Sequence, residues 1–213
     1  MFPVSDVIPS RTTPFVTIAL ITANTLAFGY ELWLDAPRLY ALTHTLGLVP
    51  AAFSWPSLVT SAFLHDGWIH FGGNMLYLWI FGDNVEDTLG HWPFLLFYLA
   101  AAGIGGLAHA GVNPESAIPL IGASGAVAGV MGTYFVLYPR SQILTAVFLV
   151  LYLDVIEVPA IFFLGLWLLL QSASGVASMG VDATGGVAFA THVAGFLAGA
   201  LVGGFMRRRA RWD

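Results

Sequence analysis

Residues 122–132 read GASGAVAGVMG and open an apolar run that reaches Tyr138 without a charged side chain. Gly125, Gly129 and Gly132 fall on this run, so a helix built from it offers its neighbours a surface of small residues, as closely packed membrane helices do. The rest of the chain has the same character. Of its 213 residues 58% are hydrophobic and 9% charged, with a mean hydropathy of +0.82, whereas a soluble domain carries about 25% charged residues. The composition predicts an all-α polytopic membrane protein. Cysteine is absent, which removes disulfides, thiolate metal sites and a cysteine nucleophile.

Apolar stretches of spanning length cover residues 14–34, 68–81, 91–112, 122–138, 155–174 and 187–206, and predict a six-transmembrane-helix bundle forming one membrane domain over residues 1–213. The second and fourth are short, roughly 21 and 26 Å at about 1.5 Å per residue, so they begin below the surface or are lengthened by their flanks. The first ten residues, MFPVSDVIPS, have no basic region before the first apolar run, which is therefore expected to remain as an anchor. Residues 143–153, ILTAVFLVLYL, would rise only about 16 Å as a helix and are expected to lie at the interface or to dip into it. Asp154 and Glu157 then mark the water-facing start of the fifth span, because unpaired carboxylates are costly at mid-membrane.

Six crossings put both termini on one side. If that side is the cytoplasm, Arg11, Arg140, Arg207, Arg208, Arg209 and Arg211 are cytoplasmic and only Arg38 lies outside, as the enrichment of basic residues in cytoplasmic loops requires. The expected location is a prokaryotic cytoplasmic (inner) membrane. Spans two, four and six then run from outside to inside, and their first turns share a depth. Residues 35–64 form a long outer loop expected to contain short interfacial helices. Residues 175–186, GVASMGVDATGG, are small and polar, as a mobile cover over a site would be.

Those three first turns hold the polar residues that invite chemistry. Ser124 sits at the start of span four, where unpaired backbone N–H groups can donate to an oxyanion; the surrounding glycines are equally explained by helix packing. His192 lies in span six beside Gly195 and Gly199, which match Gly125 and Gly129 in spacing and would let the two backbones approach until an imidazole reaches a serine hydroxyl. A histidine hydrogen-bonded to a carbonyl for packing is the plain alternative. His70 and Asn74 in span two are four apart and share a helix face, a pair of donors better suited to a negative oxygen than to a metal, or to interhelical hydrogen bonding. His65, about a turn earlier, is assigned to pinning the outer loop.

Four segments together resemble the rhomboid intramembrane proteases: HDGWIHFGGNMLYLWIFGDNVED from residue 65, GASGAVAGVMG from 122, VIEVPAIFFLGLWLLLQ from 155 and GGVAFATHVAGFLAG from 185. The likeness covers roughly residues 45–203 in the family's order and spacing. It implies Ser124 as nucleophile, His192 as general base and acid, and His70, Asn74 and the Ser124 backbone N–H as the oxyanion site. It also implies a six-helix bundle that admits its substrate sideways near spans two and five, beneath the loop before span six. Many members carry an aromatic four positions after the nucleophile, stacked on the histidine; here that position is Ala128. Thr191 and Ala194 also replace residues usual in the family, and what orients the imidazole is left to packing or to hydroxyls such as Thr191.

With no acidic residue in spans four or six, a Ser-His dyad is expected rather than a triad. The expected partners are a transmembrane protein substrate and the lipid bilayer, with no nucleic acid, no metal and no cofactor. A transporter would want an intramembrane charge or a repeat, and a metalloprotease H-E-x-x-H; the chain has neither. A catalytically inactive rhomboid-like chaperone or dislocation factor would have lost the serine or histidine.

Overall fold

The computed structural model describes residues 2–149, 152–178 and 189–209. Eight helices and a three-stranded sheet follow in the order β1 (Phe2–Asp6), α1 (Phe15–Trp33), α2 (Ala36–Leu46), α3 (Ser57–Thr60), α4 (Trp68–Leu89), α5 (His91–Val112), α6 (Ser124–Leu137), β2 (Gln142–Leu149), β3 (Tyr152–Pro159), α7 (Ala160–Ser178) and α8 (Phe189–Arg209). Three stretches, Phe15–Trp33, His91–Val112 and Phe189–Arg208, are long and apolar enough to cross a membrane; the apolar parts of α6 and α7 are shorter.

The core of the bundle is α6. Every residue from Gly125 to Tyr134 is buried, as expected of a helix apolar on all sides. Its glycines set the distance to α8. A β-carbon built on Gly195 would collide with the Gly125 carbonyl, one on Gly199 with the Gly129 carbonyl, and one on Gly132 with the Phe196 carbonyl. Thr133 Oγ1 bridges the two helices, donating to the Gly129 or Gly199 carbonyl at 3.1 or 3.0 Å. Large apolar side chains such as Leu26, Leu96, Leu169 and Leu201 point outward from the surrounding helices and are exposed.

Helix α4 runs eight residues beyond the apolar stretch that ends at 81, and the added turns carry carboxylates that anchor the entry to α1. Glu86 is buried and accepts from the Val16 and Thr17 N–H groups at 2.9 and 2.7 Å and from Thr17 Oγ1 at 2.7 Å, with His91 Nδ1 at 2.5 Å. These are first-turn amides that no intrahelical carbonyl can satisfy, and a carboxylate there also faces the positive end of the helix dipole. Asp87 takes the Arg11 and Thr12 N–H groups in the same way. A single glycine, Gly90 at φ 82°, caps both α4 and α5 and turns the chain between them.

Of residues 143–153, the described ones are extended. They lie in β2 and β3, which pair antiparallel from Gln142↔Pro159 to Leu149↔Tyr152, and β1 joins the other edge of β2. Ile143, Thr145, Val147, Phe148, Val155, Ile156 and Val158 are β-branched or aromatic residues suited to a pleated surface; apolarity alone does not tell strand from helix. The expected start of the fifth helix at 155 is corrected with it. Asp154 and Glu157 are exposed on β3, and α7 begins at Ala160, directly after Pro159. The sheet is tied to the C-terminal end of α6 by the Tyr134 hydroxyl, which donates to Asp6 at 2.5 Å or Ser141 at 2.9 Å. Burial pushes the Asp6 carboxyl up to about 6, against the Tyr134 hydrogen bond.

The long segment between α1 and α4 folds into α2, α3 and two short 3-10 turns, with Tyr40 and Trp55 exposed. It pins the approach to α6: Leu48 pairs with Leu120 as an isolated bridge, Ala51 N–H donates to the Ser116 carbonyl at 3.0 Å, and Gly122 N–H donates to the Ser61 carbonyl at 2.9 Å. Of the expected cover, residues 175–178 continue α7, whereas 179–186 lie outside the described residues, as do 187–188 and Arg211.

Candidate active site

At the N-terminal end of α6, opposite the sheet, a cavity of about 270 Å³ is lined by Ser124 and by side chains from three other helices: His70, Asn74 and Tyr77 of α4, Trp167 and Gln171 of α7, and His192 of α8. Ser124 is the first residue of α6, after Ala123 at its N-cap. Its amide therefore belongs to the turn whose N–H groups have no intrahelical acceptor. The turn is held in place by Gly122, which adopts φ 123°, a conformation that side chains with a β-carbon rarely take.

Asn74 is buried, and its Nδ2 has no hydrogen-bond partner among the described residues. Buried donors are nearly always satisfied, so an unpaired one on a residue that lines the cavity is a candidate donor to a ligand oxygen. The His70 ring packs directly on Gly122, and its Nδ1 lies 2.6 Å from Asp66 Oδ1. Asp66 was not among the residues singled out by spacing, although it stands four before His70, one helical turn away. An ionised Asp66 accepts the Nδ1 proton, so Nε2 of His70 donates only when the ring carries both protons.

His192 is held from α7. Its Nδ1 is 2.7 Å from Gln171 Oε1, and the Trp167 ring packs against it with centroids 5.8 Å apart at 44°. Of the two expected means of orienting the imidazole, packing and hydroxyls such as Thr191, the described residues supply packing and the Gln171 hydrogen bond, not the Thr191 hydroxyl. The Thr191 hydroxyl has no hydrogen-bond partner among the described residues, and its methyl group is wedged where Gly105 and Gly125 leave room for it, 2.9 and 2.6 Å from the β-carbons those positions lack. Ala128, where an aromatic ring would stack on the histidine, is fully buried, and the Trp167 ring reaches His192 from a different helix. Neither Trp167 nor Gln171 was picked out in advance, because periodicity marks α7 as a membrane helix without saying which face meets His192.

His65 stands outside the cavity lining. Its backbone N–H donates to the two Glu31 oxygens at 3.2 and 3.0 Å, which ties the segment before α4 to the end of α1. Its ring is buried beside Phe28, Phe71 and His70. Burial, and then the neighbouring His70, push that imidazole down to about 4.

Known proteins are similar to this chain in sequence. Residues 52–209 match the family model of the Rhomboid domain. The chain is 30% identical over 197 residues to the mitochondrial Rhomboid protein 1 of Saccharomyces cerevisiae, covering 89% of this chain and 53% of that protein. It is 30% identical over 142 residues to the Putative rhomboid protease YdcA of Bacillus subtilis, covering 63% and 68%. With Rhomboid protease GluP of the same organism it shares 39% identity over 95 residues, 44% of this chain and 18% of that one. The chain thus spans about half the length of the yeast relative and less than a fifth of GluP. A domain match over most of the chain, on a framework of apolar helices, makes this an integral membrane protein of the rhomboid family.

Proposed function

We propose that the chain is an intramembrane serine endopeptidase that cleaves single-span membrane proteins within or near the transmembrane segment. The observation that carries this reading is the convergence of Ser124, His192, His70 and Asn74, from three helices, on one cavity. The names of relatives such as Rhomboid protease GluP and Rhomboid-type serine protease 2 of Emericella nidulans support the class of reaction.

In this mechanism the Ser124 hydroxyl attacks the scissile carbonyl while His192 Nε2 takes its proton. The carbonyl oxygen becomes an oxyanion that receives hydrogen bonds from the Ser124 N–H, Asn74 Nδ2 and the His70 ring. His192 then passes the proton to the departing amine, the C–N bond breaks, and an acyl-enzyme remains on Ser124. Water, deprotonated by His192, releases the second product and restores the hydroxyl. The oxyanion contacts carry much of the rate, each donor worth on the order of 3 to 4 kcal/mol, while general-base transfer supplies about 10²- to 10⁴-fold.

The reading includes six crossings in one domain, both termini in the cytoplasm and the cavity open to the outer side. Ser124 would then lie about 22 Å above the cytoplasmic end of α6 by helix rise, below the outer edge of a core about 30 Å thick. Water reaches it from the outer face, and the substrate helix must unwind locally to expose its peptide bond. The test is cleavage of a one-span substrate by protein reconstituted in vesicles, with the cut mapped by mass spectrometry. Wild-type protein should cut at one site near the outer end of the segment. Equal cutting by Ser124→Ala would end the proposal.

A further inference from the structure

We propose that Gln171 is a positioning residue for His192, its side-chain carbonyl holding the imidazole in the tautomer that leaves Nε2 free to accept the Ser124 proton. The inference rests on the reading of His192 as the base.

Gln171 Oε1 lies 2.7 Å from His192 Nδ1. A carbonyl oxygen has no proton to give, so Nδ1 must be the donor in this contact. A neutral imidazole carries one ring proton, and with that proton on Nδ1 the lone pair sits on Nε2. That is the form a general base requires; the other tautomer presents an N–H to the serine and cannot take its proton. In serine hydrolases with a triad a buried carboxylate imposes the same tautomer. Among the described residues no carboxylate lines the cavity. The polar side chains on it among the described residues, besides Gln171 and His192, are Trp167 of α7, Ser124 of α6 and His70, Asn74 and Tyr77 of α4. Gln171 therefore supplies the orienting half of the carboxylate's role without its charge.

The geometry around Gln171 suits the task. It stands four residues after Trp167, on the same face of α7, so the ring contact from Trp167 and the hydrogen bond from Gln171 hold the imidazole at two points from one helix. The same amide turned over would donate to Nδ1 and force the proton onto Nε2, which makes the identity of the atom facing the ring decisive. Glutamate in its place has only acceptors, and methionine has the length without a strong acceptor.

The experiment measures kcat, KM and the rate of fluorophosphonate labelling across pH for wild-type protein, Gln171→Met and Gln171→Glu, all reconstituted in vesicles, with Ser124→Ala and His192→Ala beside them and melting curves for each. Gln171→Met should lose about tenfold in kcat, the order of one hydrogen bond, with KM unchanged and labelling slowed in parallel. Gln171→Glu should recover wild-type kcat at alkaline pH, with the acid limb moved to higher pH because a carboxylate beside the ring favours its protonated form. Wild-type kcat in Gln171→Met, or an unmoved acid limb in Gln171→Glu, would overturn the proposal while leaving the dyad standing. If Gln171→Met melts far below wild type, the acid limb of Gln171→Glu decides alone. Cleavage that persists in His192→Ala sinks the dyad reading itself and this proposal with it.

Discussion

The imidazole of His70 occupies the space where a side chain on Gly122 would begin: a β-carbon there would sit 2.5 Å from both Cε1 and Nε2 of the ring. The contact joins the first turn of α4 to the approach to the first turn of α6, and it depends on one missing atom. Gly122 also adopts φ 123°, so an alanine would meet both backbone strain and a collision.

Gly122→Ala should therefore reduce proteolysis by at least 100-fold, since a displacement of about 1 Å at the reacting groups costs that much. The melting point should fall less than for a substitution inside α6, because Gly122 lies at the helix entry. Turnover and melting measured on the same preparation separate the two effects. A Gly122→Ala variant with more than half of wild-type activity would show that His70 can move aside without penalty.

The cavity donors predict a graded series. Asn74 offers a buried Nδ2 with no competing partner among the described residues, so Asn74→Ala should remove about 3 kcal/mol of transition-state stabilisation, near 10²-fold in kcat. His70→Ala should cost a similar factor. Asp66→Asn should cost less, because it removes only the group that fixes the His70 ring from outside. The measurement is kcat for a one-span substrate. The series fails if Asp66→Asn is the most damaging of the three.

Glu86 predicts a stability effect distant from the chemistry. Its carboxylate takes the Val16 and Thr17 amides and the Thr17 hydroxyl while fully buried. Glu86→Ala would leave those donors without acceptors at a cost of about 3 kcal/mol or more, read as a lower melting temperature. Glu86→Gln keeps one acceptor oxygen and should fall between. Fluorophosphonate labelling of the surviving folded protein should be nearly unchanged, since the contact lies at the other end of α4 from His70.

How far the sequence could be read follows from which forces are local. The small-residue run of α6 and the matching glycines of α8 announce a close helix pair because glycine spacing encodes an approach distance directly, and the structure has those backbones touching. The range 91–112 coincides with α5 because Gly90 and the apolar run leave no other boundary. The sheet was missed for a physical reason: an apolar run of eleven residues fits helix or strand equally by hydropathy, and what selects the strand is pairing, with β3 along one edge of β2 and with the distant β1 along the other. Glu86 hid the true end of α4 in a similar way, since a run of acidic residues resembles a loop until the N-terminus of α1 is set against it. Gln171 and Trp167 were invisible as site residues because their role depends on which face α7 turns toward α8, and α7 is apolar all round.

His65 gives the pH dependence. Its ring is 3% exposed, with neither nitrogen hydrogen-bonded among the described residues, and burial followed by the nearby His70 lowers its pKa from 6.5 to about 4. The folded protein therefore resists a proton that the unfolded chain accepts. Between these two values the unfolded state binds more protons, so stability rises with pH across that window. The contribution of His65 is fully present above about pH 6.5 and is lost progressively as the pH falls toward 4. Melting temperatures in detergent between pH 7 and pH 4 should decline for wild-type protein, and His65→Leu should flatten the decline. Activity above pH 7 should be largely retained in that variant, because the backbone N–H of residue 65 still donates to Glu31. An unaltered slope in His65→Leu would mean that another group carries the acid sensitivity, with Asp6 an unsuitable substitute: its raised pKa acts in the opposite direction, favouring the folded state at low pH and losing that contribution as the pH rises through about 6.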